Sequence, residues 1–171
     1  MIYEPREDSF LLRKFVIKFV RGKVLDMGSG SGIQAIAARK KTDDVLAADI
    51  NKGAVKLLEE KGIKSCHSDL FSNIKGKFDF IIFNPPYLPE DPLEDKDSRL
   101  ATTGGKKGYE LIEKFLHDAK KHLNSNGKIL LLFSSLTGPV VELFEKYDYK
   151  YLLLEEKKIF FEILDVYLLT L

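Results

Sequence analysis

Apolar residues fall at Phe10, Leu11, Leu12, Phe15, Val16, Phe19 and Val20, a broad stripe at helical spacing that predicts an amphipathic helix over 10–20. Asp8 or Ser9 is placed to cap it. Residues 23–27 read as a short buried strand that runs into a glycine-rich turn, with a second helix beginning near Ile33. The pattern then predicts a strand over 45–48 ending at Asp49, a helix over 54–61 stopped by Gly62, and a weaker strand over 63–67. The run 78–83 is apolar enough for a buried parallel strand, and a long loop rich in Pro, Asp and Gly follows it. A helix over 109–123, a strand over 128–133 and a helix over 140–147 come next. The last two strands, 149–155 and 159–169, leave no room for a helical crossover, so they form an antiparallel hairpin around Glu156-Lys157.

Alternating strands and helices imply an α/β, doubly wound, Rossmann-like fold: a seven-stranded, mostly parallel sheet with a C-terminal antiparallel hairpin. The expected organisation is a single domain over 1–171. Such sheets bind ligands outside the carboxyl ends of their strands, where strand order reverses. The glycine turn, Asp49, Asp69 and Asn84 all fall at or just beyond such ends.

Asn84-Pro85-Pro86-Tyr87 is the most informative stretch. Proline has no N–H, so two in succession fix φ and leave carbonyls without a neighbouring donor. With the Asn84 side-chain oxygen, two acceptors face one guest. An NH2 group has two hydrogens to satisfy, and Tyr87 offers an aromatic face to the flat group that carries it. The plain alternative is a proline-rich turn after a strand.

Gly28-Ser29-Gly30-Ser31-Gly32 lets the backbone turn sharply and lets a ligand approach closely. Ile33 stands where a dinucleotide fingerprint wants its third glycine, and no Gly-Lys-Ser or Gly-Lys-Thr follows, so neither NAD nor ATP is favoured. Asp26 would repel a pyrophosphate and suits a cationic amino group. Asp49, beside Ile50, stands where an acid accepts hydrogen bonds from ribose hydroxyls. Asp69-Leu70 offers a carboxylate for an adenine amino group and an apolar wall for its ring. Nucleoside plus amino acid without phosphate describes S-adenosylmethionine. Tyr3, Glu4, Pro5 and Ser9 either close over this cofactor or serve simple packing of the N-terminal segment.

Composition narrows the partners. Lys and Arg number 27 and Asp and Glu 26, a formal net charge of +1, so no global field favours nucleic acid or an acidic membrane. The single cysteine, Cys66, forbids an internal disulfide, no secretory leader pattern is read, and no apolar run is long enough to span a membrane; the expected location is the cytoplasm. His117 and His122 are wrongly spaced to stack two ligands on a helix, and Cys66-His67 point to opposite faces of a strand, so no metal site is read. Glu90, Asp91, Glu94, Asp95 and Asp97 crowd one loop, either as solvated charge or as a substrate lid.

These residues together resemble the class I S-adenosylmethionine-dependent methyltransferases, and more closely the HemK-like protein glutamine methyltransferases of the short archaeal and eukaryotic type. The likeness spans nearly the whole chain. It is carried by Tyr3-Glu4-Pro5-Arg6-Glu7-Asp8-Ser9-Phe10, by Asp26 to Gly32 as cofactor loop, by Asn84-Pro85-Pro86-Tyr87 as catalytic motif, and by Gly104-Gly105-Lys106-Lys107-Gly108. The resemblance implies methylation of the glutamine amide in the Gly-Gly-Gln loop of a peptide chain release factor, and a small zinc-binding activator pairing with a sheet edge at 63–66. Asp26 stands where the family often has Glu, and the helical N-terminal domain of bacterial relatives is not seen. The alternative is methylation of an exocyclic amino group of adenine or guanine in DNA or RNA, which the missing basic excess disfavours.

Overall fold

The computed structural model describes residues 2–90 and 102–171. Helix α1 (Glu7–Phe19) begins one turn earlier than the apolar stripe predicts. Glu7 and Asp8 occupy its first turn, where their charge complements the helix dipole. Asp8 and Ser9 are therefore helical and buried, not caps; Arg6 holds the cap position without a side-chain hydrogen bond. There follow β1 (Val24–Met27), α2 (Ile33–Arg39), β2 (Val45–Asp49), α3 (Lys52–Glu60) and β3 (Ser65–His67). Then come β4 (Phe78–Phe83), β5 (Leu88–Pro89), β6 (Thr103–Gly105), α4 (Glu110–Ala119), β7 (Leu123–Ser134), α5 (Val140–Lys146), β8 (Lys150–Ile159) and β9 (Glu162–Thr170). No helix among the described residues is long and apolar enough to cross a membrane.

Seven strands make one sheet in the order β3-β2-β1-β4-β7-β9-β8, parallel from β3 to β7 and antiparallel over the last two pairings. Alternate side chains of each strand serve opposite faces. Phe80 and Ile82 of β4 join Leu12, Val16, Ala35 and Leu58 from α1, α2 and α3, whereas Ile81 and Phe83 join Ile112, Phe115, Leu116 and Phe144 from α4 and α5. Buried on both faces, these strands need the continuous apolar runs that the sequence supplies.

Two features escape the hydrophobic pattern. The hairpin turns at Phe160-Phe161, because Ile159 pairs with Glu162, so the expected turn at Glu156-Lys157 lies inside β8. Its charged residues read as a turn, yet they stand on a sheet-edge strand where water reaches them, with Lys157 Nζ 2.5 Å from Glu7 Oε2. The second is a small parallel ladder between β5 and β6, which ties the chain after Tyr87 to Gly104 and Gly105. The acidic loop over 91–101 lies outside the described residues.

Candidate active site

Strand register assembles the site. Met27 pairs with Phe83 on one side and with Ala48 on the other, and Asp49 pairs with His67. Gly28, Asp49, Ser68 and Asn84 therefore leave the sheet at nearly one level, around the β1–β4 junction where strand order reverses. Gly32 closes the turn as the left-handed N-cap of α2, with φ 86°, and a Cβ there would meet Leu58 Cδ2 at 2.7 Å.

Asp26 shares a sheet face with Ile82, toward α2. Its Oδ2 accepts from the Ala35 N–H at 2.9 Å and from the Ser29 hydroxyl. Burial pushes its carboxyl up to about 7, against the lowering effect of those hydrogen bonds. Asp49 takes the Gly30 N–H on Oδ2 and the Asn51 N–H on Oδ1, both at 2.8 Å, which ties the glycine turn to the end of β2. A carboxylate has about four lone-pair sites, so hydroxyl donors can still be accepted there. Leu70 sits in the left-handed region at φ 46°, its carbonyl accepting from Ser68 Oγ at 2.6 Å. Strain of this kind concentrates at functional sites.

Asn84 is held from across the cleft. Its Nδ2 donates to Asp8 Oδ2 at 2.8 Å, and Asp8 Oδ1 accepts from the Tyr3 hydroxyl at 3.1 Å. With its nitrogen so engaged, the amide turns its oxygen the other way, and Asn84 Oδ1 is buried without a hydrogen-bond partner. Burial, then the nearby Asp8 and Glu162 carboxylates, push the Tyr87 hydroxyl well above the usual phenol range, so Tyr87 stays neutral. Its ring packs against both core clusters. The β5–β6 ladder backs this turn, and Gly104 lies so close that a Cβ would meet Pro86 O at 2.7 Å and Gly108 O at 2.0 Å.

A cleft of about 1020 Å³ joins these parts. Ser9, Asp26, Gly28, Ser29, Gly30, Asp49, Ile50, Asp69, Leu70, Asn84, Pro85, Pro86 and Tyr87 all line it. Of the candidate cofactor and N-terminal residues, Tyr3 lines it too, whereas Glu4, Pro5 and Gly32 do not; the work of Gly32 is the turn. Among the lining residues that sequence reasoning did not assign to the site are Asp8, Gln34 and Glu162. Asp8 lay within a stretch already singled out, but its role depends on a partner 76 residues away. Gln34 and Glu162 carry no motif at all.

Four buried side-chain atoms among the described residues lack a hydrogen-bond partner, and three of them, Gln34 Oε1, Asn84 Oδ1 and Glu162 Oε2, belong to residues lining this cleft. All three are acceptors. Leaving one buried and unpaired costs roughly 1–3 kcal/mol. A guest that brings N–H and O–H donors removes that cost; a phosphate, which brings none, does not. The histidines are engaged elsewhere: His67 Nε2 with Ile50 O at 2.9 Å, His122 Nδ1 with Gly76 O at 3.0 Å, and His117 with Asp118.

Comparison with known proteins agrees with this geometry. The sequence model of the methyltransferase small domain family matches residues 8–161. A Methanocaldococcus jannaschii protein provisionally named as a protein N5-glutamine methyltransferase is 43% identical over 146 residues, 80% of this chain and 74% of that protein. The release factor glutamine methyltransferase of Aquifex aeolicus is 37% identical over 144 residues, 73% of this chain and 51% of its own length. The chain thus spans about half the length of such bacterial relatives. A chain of the E. cuniculi Mtq2–Trm112 complex, responsible for methylation of the eRF1 translation termination factor, superposes with TM-score 0.81 at 26% identity, covering 98% of this chain and 97% of that one. A match of this extent, on a sheet that sets the glycine turn beside Asn84, makes the chain a member of the methyltransferase small domain family and a HemK-like class I methyltransferase.

Proposed function

We propose that this enzyme methylates the side-chain amide of the glutamine in the Gly-Gly-Gln loop of a peptide chain release factor, with S-adenosylmethionine as donor. The observation that carries the reading is Asn84 Oδ1, an acceptor that is buried, unpartnered and oriented by Asp8 beside Pro85, Pro86 and Tyr87. The names of the relatives point the same way.

S-adenosylmethionine supplies the methyl group as a sulfonium when bound. The acceptor-rich cleft fits it: Asp26 and Gln34 Oε1 would hold its amino group, Asp49 its ribose hydroxyls and Asp69 its adenine amino group. Ile50 and Leu70 would flank the ring, Gly28, Ser29 and Gly30 leave room for close approach, and Ser9 closes one wall.

An amide nitrogen is a poor nucleophile because its lone pair is delocalised into the carbonyl. Asn84 Oδ1 and the Pro85 carbonyl each accept one of its N–H bonds, which fixes the amide plane so that the lone pair perpendicular to it points toward the methyl group. The same two oxygens stabilise positive charge as it develops on nitrogen; once the methyl has moved and the sulfonium has left as a neutral thioether, the nitrogen gives up one N–H proton to water. Pro86 stiffens the turn that presents them, and the Tyr87 ring supports the planar amide. Catalysis here is placement and exclusion of water, which an in-line displacement requires.

Incubation with tritiated donor and separate pools of termination factor, RNA and DNA tests the assignment. Label is expected on the Gly-Gly-Gln tryptic peptide; label confined to RNA or DNA overturns it in favour of an adenine or guanine amino group. A small zinc-binding activator subunit is part of the same proposal, paired with the open edge of β3. Co-elution on gel filtration supports it, and two unshifted peaks remove it.

A further inference from the structure

The turn joining β8 to β9 breaks the local rule for its position. Two-residue hairpin turns favour Gly, Asn or Asp where φ is positive. Here the turn residues are Phe160, at φ 46°, and Phe161. Packing does not account for them, since Phe160 is 90% exposed and Phe161 97%. Where two adjacent rings are left unburied and one of them also stands at a positive φ, a binding role is the physical expectation.

The place of the turn says what it meets. Ile159, Phe160, Glu162 and Leu164 line the cleft that holds Asn84 and Tyr87, so the tip stands at its mouth. The hairpin is held at two places. Lys14 and Lys157 pair with Glu155 and Glu7, joining β8 to α1. Ser135 donates from its N–H to Ile163 O at 2.8 Å and accepts from the Ile163 N–H on Oγ at 3.0 Å. The rings are thus carried on a hairpin tied to α1 and to the end of β7. Immediately after them, Glu162 Oε2 is buried with no hydrogen-bond partner among the described residues, and Glu162 lines the same cleft as Tyr3 and Tyr87, whose hydroxyls are raised by burial, then by Asp8, with Glu162 adding to the rise.

Resting on the release-factor reading, we propose that Phe160, Phe161 and Glu162 form a specificity clamp for the polypeptide segment that carries the target glutamine. The two rings lie on apolar surface of the folded substrate protein, and Glu162 Oε2 accepts a backbone N–H next to the glutamine. A Gly-Gly segment suits this acceptor because no side chain shields its N–H groups. A nucleic acid suits it poorly, because Glu162 and Asp8 set two carboxylates beside the path a phosphate backbone would take.

Steady-state methylation of intact termination factor and of a short Gly-Gly-Gln peptide tests the clamp. Phe160→Ser/Phe161→Ser is expected to raise KM for the intact factor at least about tenfold while kcat moves less than about threefold. Glu162→Ala is expected to raise KM for factor and peptide alike, and Glu162→Gln, which keeps an acceptor oxygen, to recover most of the loss. Thermal melts and donor calorimetry on each variant guard against misfolding; loss of donor binding in step with activity assigns these residues to the fold and overturns the clamp. Wild-type enzyme active on the factor, with KM unchanged in Phe160→Ser/Phe161→Ser and in Glu162→Ala, defeats the clamp alone. Wild-type enzyme inactive on the factor but active on RNA defeats the functional reading, and the clamp with it.

Discussion

Asp8 Oδ2 accepts a 2.8 Å hydrogen bond from Asn84 Nδ2, joining the first turn of α1 to the end of β4 across 76 residues. The bond decides direction. A carboxylate can only accept, so it binds the nitrogen of the Asn84 amide and leaves the oxygen for the guest. An asparagine free to rotate would present N–H to substrate N–H for part of the time. On the proposed function, Asp8 is thus a positioning residue, acting through Asn84.

Asp8→Ala is expected to lower kcat about tenfold to a hundredfold, the loss of one buried charged hydrogen bond, with KM for donor nearly unchanged. Asp8→Asn can present an oxygen to the same N–H and should recover part of that loss. Equal damage in both variants would show that Asp8 serves stability, which denaturant unfolding measures directly.

Asn84→Ala removes the acceptor itself. By the size of a single oxyanion-hole donor, about 3 kcal/mol, turnover should fall at least about a hundredfold. Single-turnover kinetics with donor in excess reads the chemical step, and an unchanged rate there eliminates the catalytic role of Asn84.

Asp26 predicts a pH dependence. Its carboxyl is raised to about 7 by burial, so between that value and the ordinary 3.8 the folded protein keeps a proton that the unfolded chain has lost. The corresponding stability is fully present below about pH 4, declines as pH rises, and is lost above about pH 7. Urea unfolding between those limits should show this decline in wild type and its absence in Asp26→Asn. A cationic amino group beside Asp26 keeps the carboxyl ionised, so donor binding at about pH 6 should release a proton, visible by calorimetry in buffers of different ionisation heat.

Gly104→Ala should act through the backbone of the Asn84–Tyr87 turn. Its Cβ would lie 2.0 Å from Gly108 O and 2.7 Å from Pro86 O, both backbone atoms that cannot swing aside. The expected cost is about 1–3 kcal/mol of stability from overpacking, with loss of activity as the Asn84–Tyr87 turn shifts. A variant that unfolds at the wild-type urea midpoint with full activity would show that this contact is slack.

Much of the lining of the candidate site was legible along the chain because its parts are local. The glycine turn, Asp26 and Asp49 each mark the end of a strand, and Asn84 to Tyr87 announce themselves through two prolines. The position of Ser9 on the cleft wall was legible too, but its setting was not: an early helix start buries it with Asp8, and no apolar periodicity marks that start. Gln34 and Glu162 were invisible because an unpaired oxygen is defined by what surrounds it. The turn at Phe160-Phe161 was missed for the opposite reason, since its residues argue against a turn.

Backbone preferences and hydrophobic period act over a few residues, so the chain alone settled the strand–helix alternation, the two-faced apolar strands and the strand ends where chemistry gathers. Strand order, register and the meeting of α1 with β4 depend on packing between distant segments. From that packing came the level at which Gly28, Asp49 and Asn84 emerge, the orientation Asp8 imposes on Asn84, and the presence of Glu162 at the mouth of the cleft.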